Sequence, residues 1–185
     1  LISKDNTTAA TIQGEKATTV PFDAKSTLRP VAYDAEKATD ATETANPASW
    51  YWEQAKTADS SEGNGTKSYL DSFTDYVWTD SVYITVAKGS AAGTTLTATV
   101  KMTASNGDIT AARVLIVTSD ATKPLSEFTS VNGATAQTIY SGAINDSTVV
   151  KVDIYVFIDG EEASISTNNF ANLGTSAMEI TFKIA

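Results

Sequence analysis

Strict alternation of apolar and polar residues most limits what this chain can fold into. Between Met178 and Ile184, apolar side chains occupy every second position, with Glu, Thr and Lys between them. A period of two places apolar side chains on one face of a β-strand, and no helix can gather them on one face. Residues 81–86 and 95–102 alternate in the same way, and residues 150–158 carry a further apolar row. These segments therefore predict β-strands.

One apolar run does not alternate, and turn dipeptides lie near the predicted strands. Residues 114–117 are apolar without interruption, which predicts a strand buried on both faces. Asn106-Gly107, Asn132-Gly133 and Asp159-Gly160 are residue types that tolerate the positive φ of tight turns, so they predict hairpins. Many strands with such turns indicate an all-β fold, which we expect to be a jelly-roll-like β-sandwich.

Two segments in the first third of the chain differ from this pattern. Residues 1–22 are polar and weakly alternating, and they have too little apolar surface to fold alone. We interpret them as an N-terminal arm before a single sandwich domain of residues 23–185, either as a loose tail, an edge strand or a strand given to a neighbour. Residues 33–68, rich in Ala, Thr, Asp and Glu, predict one long loop excursion with a short helix at residues 49–55.

The chain has no histidine and no cysteine, which removes disulfides, zinc ribbons and the usual catalytic bases and thiols. It also has no Ser-x-x-Lys or Gly-x-Ser-x-Gly spacing and no phosphate-binding glycine loop. A glycosidase needs only two carboxylates, but Asp153 has no second carboxylate in a comparable setting. We therefore expect a protein that is not an enzyme, with no catalytic residues and no cofactor.

Charge and hydropathy restrict partners and location. The formal net charge of −9 disfavours nucleic acid, because phosphate binding needs clustered Lys and Arg. No stretch approaches the roughly 20 apolar residues of a spanning helix, so no membrane insertion is expected. The sequence starts at Leu1 without a basic and apolar leader, and we expect a secreted chain whose signal peptide has been removed, extracellular or on the cell surface. A chain trimmed at that point would look the same.

The sharpest acidic cluster surrounds the third turn dipeptide and consists of Asp159, Glu161 and Glu162. Carboxylate oxygens of this kind are ligands that Ca²⁺ prefers, so these three residues are candidate metal ligands. The regular series of oxygen ligands of an EF-hand is missing, however. A hairpin turn with solvated charges is therefore the favoured interpretation, and no metal is assigned.

All three tryptophans, Trp50, Trp52 and Trp78, lie close to Tyr51 and Tyr76 in the sequence. Three interpretations of this aromatic concentration stay open. The side chains fill the core under the excursion, form a hydrophobic seam between subunits, or make a platform on which surface glycans stack.

A resemblance adds to this reading. The run from Val150 to Glu162 contains an apolar strand that ends in Asp-Gly-Glu, and it precedes the Phe-containing strand at residues 178–182. Over roughly residues 70–185 this resembles the secreted TasA/camelysin-like proteins of Gram-positive bacteria. The resemblance implies a jelly-roll subunit of an extracellular fibre, in which an N-terminal strand of one subunit inserts into the next. The metalloprotease label associated with that family does not carry over, because the chain has no histidine.

We therefore expect a structural subunit of a pilus or biofilm-matrix fibre whose partner is a second copy of itself, joined head to tail by donor-strand exchange. Residues 1–22 are the expected donor, with Ala10 and Ile12 pointing inward and Val20 and Phe22 anchoring the junction. The residues expected at the subunit interface are Ala10, Ile12, Val20, Phe22, Trp50, Trp52 and Trp78. The alternative is a monomeric cell-surface adhesin or carbohydrate-binding module that uses the tryptophans.

Overall fold

The computed structural model describes residues 2–3, 16–21, 28–53, 67–104, 110–161 and 176–185. In chain order the strands are β1 (Ile2–Ser3), β2 (Lys16–Pro21), β3 (Ala32–Tyr33), β4 (Trp50–Glu53), β5 (Lys67–Tyr69), β6 (Val77–Ile84), β7 (Gly93–Ala104), β8 (Ala112–Thr118), β9 (Leu125–Thr129), β10 (Gln137–Ile144), β11 (Val150–Ile158) and β12 (Ser176–Ile184). Helix in this part of the chain is limited to α1 (Ala41–Thr44) and one 3-10 turn (Pro47–Ser49). The predicted all-β fold is confirmed.

The strands form three antiparallel sheets. The central sheet has the order β1-β6-β11-β8-β9, the flanking sheet β10-β7-β12-β2, and the outer sheet β3-β4-β5. The central and flanking sheets face each other, because their alternate apolar side chains share one main core. Val152 and Ile154 of β11 meet Val100 of β7 and Ile180 of β12 there. The predicted alternation of β7 and β12 is therefore confirmed, with the apolar row of each strand turned toward this core.

Strand β8 has no solvent face, as its uninterrupted apolar run predicts. Val114 and Ile116 contribute to the main core, whereas Leu115 and Val117 contribute to a second core on the opposite side of the central sheet. The neighbouring strand β11 also has apolar side chains on both faces, because Phe157 on its second face belongs to the second core. The molecule thus has three layers of sheet and two layers of core between them.

The excursion is a third layer rather than a plain loop. The predicted helix at residues 49–55 is wrong, because Trp50–Glu53 is strand β4, paired with β3 and β5. Its bulky aromatic residues favour an extended backbone that packs on a sheet. Helical structure occurs earlier, where the Asp40 carboxylate caps α1 and the Asn46 side chain caps the 3-10 turn.

Of the two turn dipeptides that the structure describes, Asn132-Gly133 does not form the predicted hairpin. Asn132-Gly133 lies in the connection from β9 in the central sheet to β10 in the flanking sheet. Asp159-Gly160 follows β11 of the central sheet, and the next described strand, β12, belongs to the flanking sheet. A turn dipeptide fixes only a local reversal, whereas the sheet that a strand joins depends on the apolar face it buries. Asn106-Gly107 lies outside the described residues.

Gly133 is required at its position by close backbone approach. A Cβ atom there would lie 2.4 Å from the Val100 carbonyl oxygen of β7. The Gly133 N–H donates to the Thr129 carbonyl, and its own carbonyl accepts from the Val100 N–H. The connection between the two sheets is therefore held tightly against β7.

Candidate functional site

The two described strands of the N-terminal arm, β1 and β2, lie at one side of the sandwich. Strand β1 pairs with β6 through Ile2 opposite Ile84 and Ser3 opposite Tyr83. Strand β2 pairs with β12, with Val20 opposite Met178. These two strands end the central and flanking sheets on the side away from β9 and β10. In this structure residues 16–21 are thus an edge strand of their own sheet.

Among the described arm residues, Ile2 belongs to the main core and is 9% exposed. The sequence prediction placed the inward side chains at Ala10 and Ile12, in the centre of the arm, and did not include Ile2. Ala10, Ile12 and Phe22 lie outside the described residues. The apolar pair Leu1-Ile2 at the start of a polar segment is the pattern that could have indicated burial there.

The opposite side of the sandwich is tied together by side chains at the end of β8 and in the β8–β9 connection. The Thr118 hydroxyl donates to the Ile139 carbonyl of β10 at 2.6 Å. The Asp120 carboxylate accepts from the Ser141 N–H at 2.6 Å. Hydrogen bonds to Asp120 from Thr122, Ser141 and Lys123 lower its pKa to about 2. The two sheets are therefore fastened along the β9 and β10 side by an ionised, buried carboxylate.

Trp50 does not lie at a surface. Its ring is fully buried in the second core, edge-on to Phe157 at 5.1 Å and to Phe73 at 5.8 Å. Its indole N–H donates to the Thr44 carbonyl at 2.9 Å. The expectation of Trp50 at a subunit interface is therefore wrong for this fold, because contacts within the chain cover the ring on all sides.

Trp52 and Trp78 are half-buried and belong to different layers. Trp52 packs against the second core from the outer sheet, whereas Trp78 packs against the main core from β6. The three tryptophans consequently do not share one face and cannot form a common stacking platform. Trp78 stays a candidate contact for a strand added beside β6.

A cavity of about 210 Å³ lies where the outer sheet meets the central sheet, and Tyr33, Glu127, Phe157, Asp159 and Glu161 line it. Beside this acidic pocket lies Arg113 of β8, whose side chain is only 8% exposed. Its guanidinium contacts the Asp159 carboxylate at 3.0 Å and the Glu127 carboxylate at 3.6 Å. Burial of a guanidinium requires such partners, and two carboxylates supply them here.

Burial raises the pKa of the Glu127 carboxyl group, and the neighbouring Asp159 charge raises it further. The Tyr33 hydroxyl donates a hydrogen bond to Glu127, and this bond and the Arg113 charge oppose the rise without cancelling it. The pKa of Tyr33 is itself raised, mainly by burial and then by the Glu127 charge. The pocket therefore favours a neutral Tyr33 and resists ionisation of Glu127.

The acidic candidates Asp159 and Glu161 are engaged by protein groups. Asp159 pairs with Arg113, and Glu161 accepts a short hydrogen bond from the Tyr51 hydroxyl of β4. Across the described ranges, no group of three or more acidic residues is arranged to hold a metal ion. Glu162 lies outside those ranges. Asp159 and Glu161 are therefore better explained as links between layers than as metal ligands.

In the acidic pocket, Arg113 contacts both Glu127 and Asp159. A second cavity, of about 280 Å³, is lined by the single carboxylate Asp153, which pairs with Lys151 at 2.8 Å.

Within the described residues, no helix is long and apolar enough to cross a membrane. No protein-family model matches the chain, and comparisons with characterised proteins and with solved structures find no similar protein.

Proposed function

We propose that this chain is a structural subunit of an extracellular filament, either a pilus or a biofilm-matrix fibre, that polymerises head to tail by donor-strand exchange. The observation that carries the proposal is the pairing of β1 with β6. Strand β1 is only two residues long, and the described contact consists of two register pairs and the buried Ile2 side chain. A second copy can supply the same contacts, so exchange costs little free energy.

The two sides of the sandwich differ in a way that favours a filament. The β9 and β10 side is fastened by Thr118 and Asp120, whereas the β6 side is bordered by the short strand β1. An arm that leaves its own β6 and joins the β6 of a neighbour makes a heterologous contact. Such a contact propagates in one direction as a filament when the rotation between subunits does not close a ring.

We also propose that the sandwich of this subunit is a jelly roll, which the pairing pattern of the strands supports. Strand β6 pairs with β11, β7 with β10, and β8 with β9, so the first strand of the series pairs with the last and the middle two pair with each other. Successive pairs alternate between the central and flanking sheets. Nested antiparallel pairs that alternate between two sheets are the pattern of a jelly roll.

A disulfide trap tests the exchange directly, because the chain has no cysteine of its own. Ser3→Cys combined with Tyr83→Cys places a thiol on each side of one register pair. Opposite positions of an antiparallel pair are close enough for a disulfide. Exchange predicts a ladder of covalent oligomers on a non-reducing gel that collapses to monomer with reductant. Cross-linking only within single chains would contradict it.

The matched control combines Ser3→Cys with Lys101→Cys, since Lys101 is exposed on the flanking sheet. This variant has the same number of thiols and should give no ladder.

Negative-stain electron microscopy of the unmodified chain at rising concentration should show uniform thin filaments. A chain without residues 1–15 should stay folded and monomeric. Filaments from the truncated chain would exclude the arm as donor, and dispersed particles from the full chain would favour the adhesin alternative.

A further inference from the structure

The side of the sandwich formed by β9 and β10 contains two strand edges, because β9 ends the central sheet and β10 ends the flanking sheet. The edge of a strand presents N–H and C=O groups with which a strand of another molecule can pair. Thr138, Ser141 and Ala143 of β10 are exposed, so an added strand can reach this edge. The state of the backbone groups at these edges therefore decides whether a second chain joins there.

Side chains from outside the flanking sheet bind the backbone of β10. The Thr118 hydroxyl donates to the Ile139 carbonyl at 2.6 Å, and the Ser141 N–H donates to Oδ2 of Asp120 at 2.6 Å. Asp120 is oriented for this contact, because its Oδ1 accepts the N–H and the hydroxyl of Thr122, each at 2.7 Å. One donor and one acceptor thus occupy positions at which a neighbouring strand would bind.

Two further features of this side hinder the addition of a strand. The register of β10 against β7 shifts twice, within residues 138–140 and within residues 141–144, and such shifts interrupt the regular ladder and bend the strand. On β9, which is only five residues long, the Gln137 side-chain amide donates to the Glu127 carbonyl at 3.2 Å. Strand β6 on the other side of the sandwich differs, because its register with β11 is continuous over eight pairs.

We propose that the side chains of Thr118, Asp120 and Gln137, the edge caps, determine the specificity of association by keeping a second copy of this chain from pairing along β9 and β10. Backbone groups that already have hydrogen-bond partners gain little from an added strand. Without the edge caps, two copies related by a two-fold axis can pair β10 with β10 in antiparallel orientation. The inference concerns the side opposite to β6 and does not depend on filament formation.

A single-cysteine reporter tests the proposal in the full chain, which has no cysteine of its own. Ala143→Cys places one exposed thiol on β10, and a bismaleimide reagent links two such thiols when two copies pair along this strand. The reporter chain with intact edge caps should give only a background level of linked dimer. Thr118→Val combined with Asp120→Ala removes both edge caps of β10 and should raise the amount of dimer severalfold. A background level in this folded variant would overturn the proposal.

Two controls separate strand pairing from the loss of a charge and from non-specific aggregation. Asp146→Ala removes an exposed carboxylate from the β10–β11 connection and leaves the edge caps intact, so the dimer should stay at background. A thiol moved to the exposed position Lys101→Cys, on β7 within the flanking sheet, should not cross-link in the variant without edge caps. A rise with Asp146→Ala, or cross-linking at both thiol positions, would equally overturn the proposal.

A more conservative variant decides the question if the double substitution does not fold. Thr118→Val keeps the shape of a residue that is only 2% exposed and removes its hydroxyl group. The Ile139 carbonyl then loses its partner, so the linked dimer should again exceed the background level. Circular dichroism establishes that the variant is folded. A folded Thr118→Val chain that gives no more dimer than the chain with intact edge caps would contradict the proposed role.

Discussion

At the residue scale, two aspartates stand out, one for its backbone conformation and one for its buried charge. Asp75 has a φ of 68°, the left-handed region that non-glycine residues seldom adopt. Its carbonyl accepts the Arg29 N–H at 2.6 Å, which fastens the chain as it passes from the main core to the outer layer. Asp120 is buried and ionised. Each residue gives a prediction with a clear sign.

Asp75→Gly should be more stable than Asp75→Ala by about 1 kcal/mol, because the left-handed conformation penalises a Cβ atom. Asp71 is the control, since it is exposed and its φ is not positive. At that position the order should be reversed, with alanine more stable than glycine. Urea denaturation of the four variants measures both orders, and the same order at both sites would contradict the role of backbone conformation.

Asp120→Ala should lower the free energy of unfolding by about 2–3 kcal/mol at pH 7, as expected for the loss of hydrogen bonds to a buried charged group. The pKa of Asp120 is lowered to about 2, so its contribution is complete above its ordinary value of 3.8 and lost as the pH falls toward 2. Thermal denaturation between pH 2 and 5 should show a smaller loss of stability in acid for the variant than for the wild type. An unchanged acid profile would show that Asp120 does not fasten the sheets.

At the element scale, β4 explains why a polar segment can cover one face of the central sheet. Trp50 packs against Tyr155 and Phe157 of β11, which supply an aromatic surface that β11 would otherwise expose. Burial raises the pKa of Tyr155 to about 12, with a smaller effect of the Asp153 charge. The outer sheet is thus attached both by aromatic contacts and by the polar groups of the acidic pocket.

Trp50→Ala should destabilise the protein by about 3–5 kcal/mol, because it leaves a large cavity in the second core. Trp52→Ala removes an aromatic residue of the same strand that is only half-buried, so its cost should be clearly smaller. Urea unfolding followed by circular dichroism compares the two. Equal costs would mean that Trp50 is not the main contact between these layers.

Whether an element can be predicted from the sequence depends on whether the pattern that specifies it lies within the element itself or in contacts with distant residues. The alternation in β7 and β12 and the apolar run of β8 report burial directly, and these strands were predictable. The outer sheet was not, because Trp50 reaches Phe157 across more than half of the chain, and a composition rich in Ala, Thr, Asp and Glu conceals such contacts. The acidic pocket could not be predicted for the same reason, because Arg113, Glu127 and Asp159 come from three strand regions that meet only after folding.

At the scale of the whole molecule, the net charge of −9 opposes association between copies. Exposed like charges repel over about 30 Å at 0.01 M salt but over only about 8 Å at 0.15 M. If subunits join by strand exchange, filaments should therefore form faster at the higher salt concentration. Light scattering can follow the rate, with sucrose of equal osmolality as the control. A faster rate at low salt would mean that attraction between opposite charges drives association.

The position of β12 also affects how the chain reaches its native state. This strand lies between β7 and β2 in the flanking sheet, although it is the last strand in the sequence. Synthesis starts at the N-terminus, so β2 and β7 are made before residues 176–184, which form the strand that pairs with both of them. Contacts of such long sequence separation belong to the slow range of two-state folding, milliseconds to seconds. The flanking sheet is therefore completed only after its final strand has been synthesised.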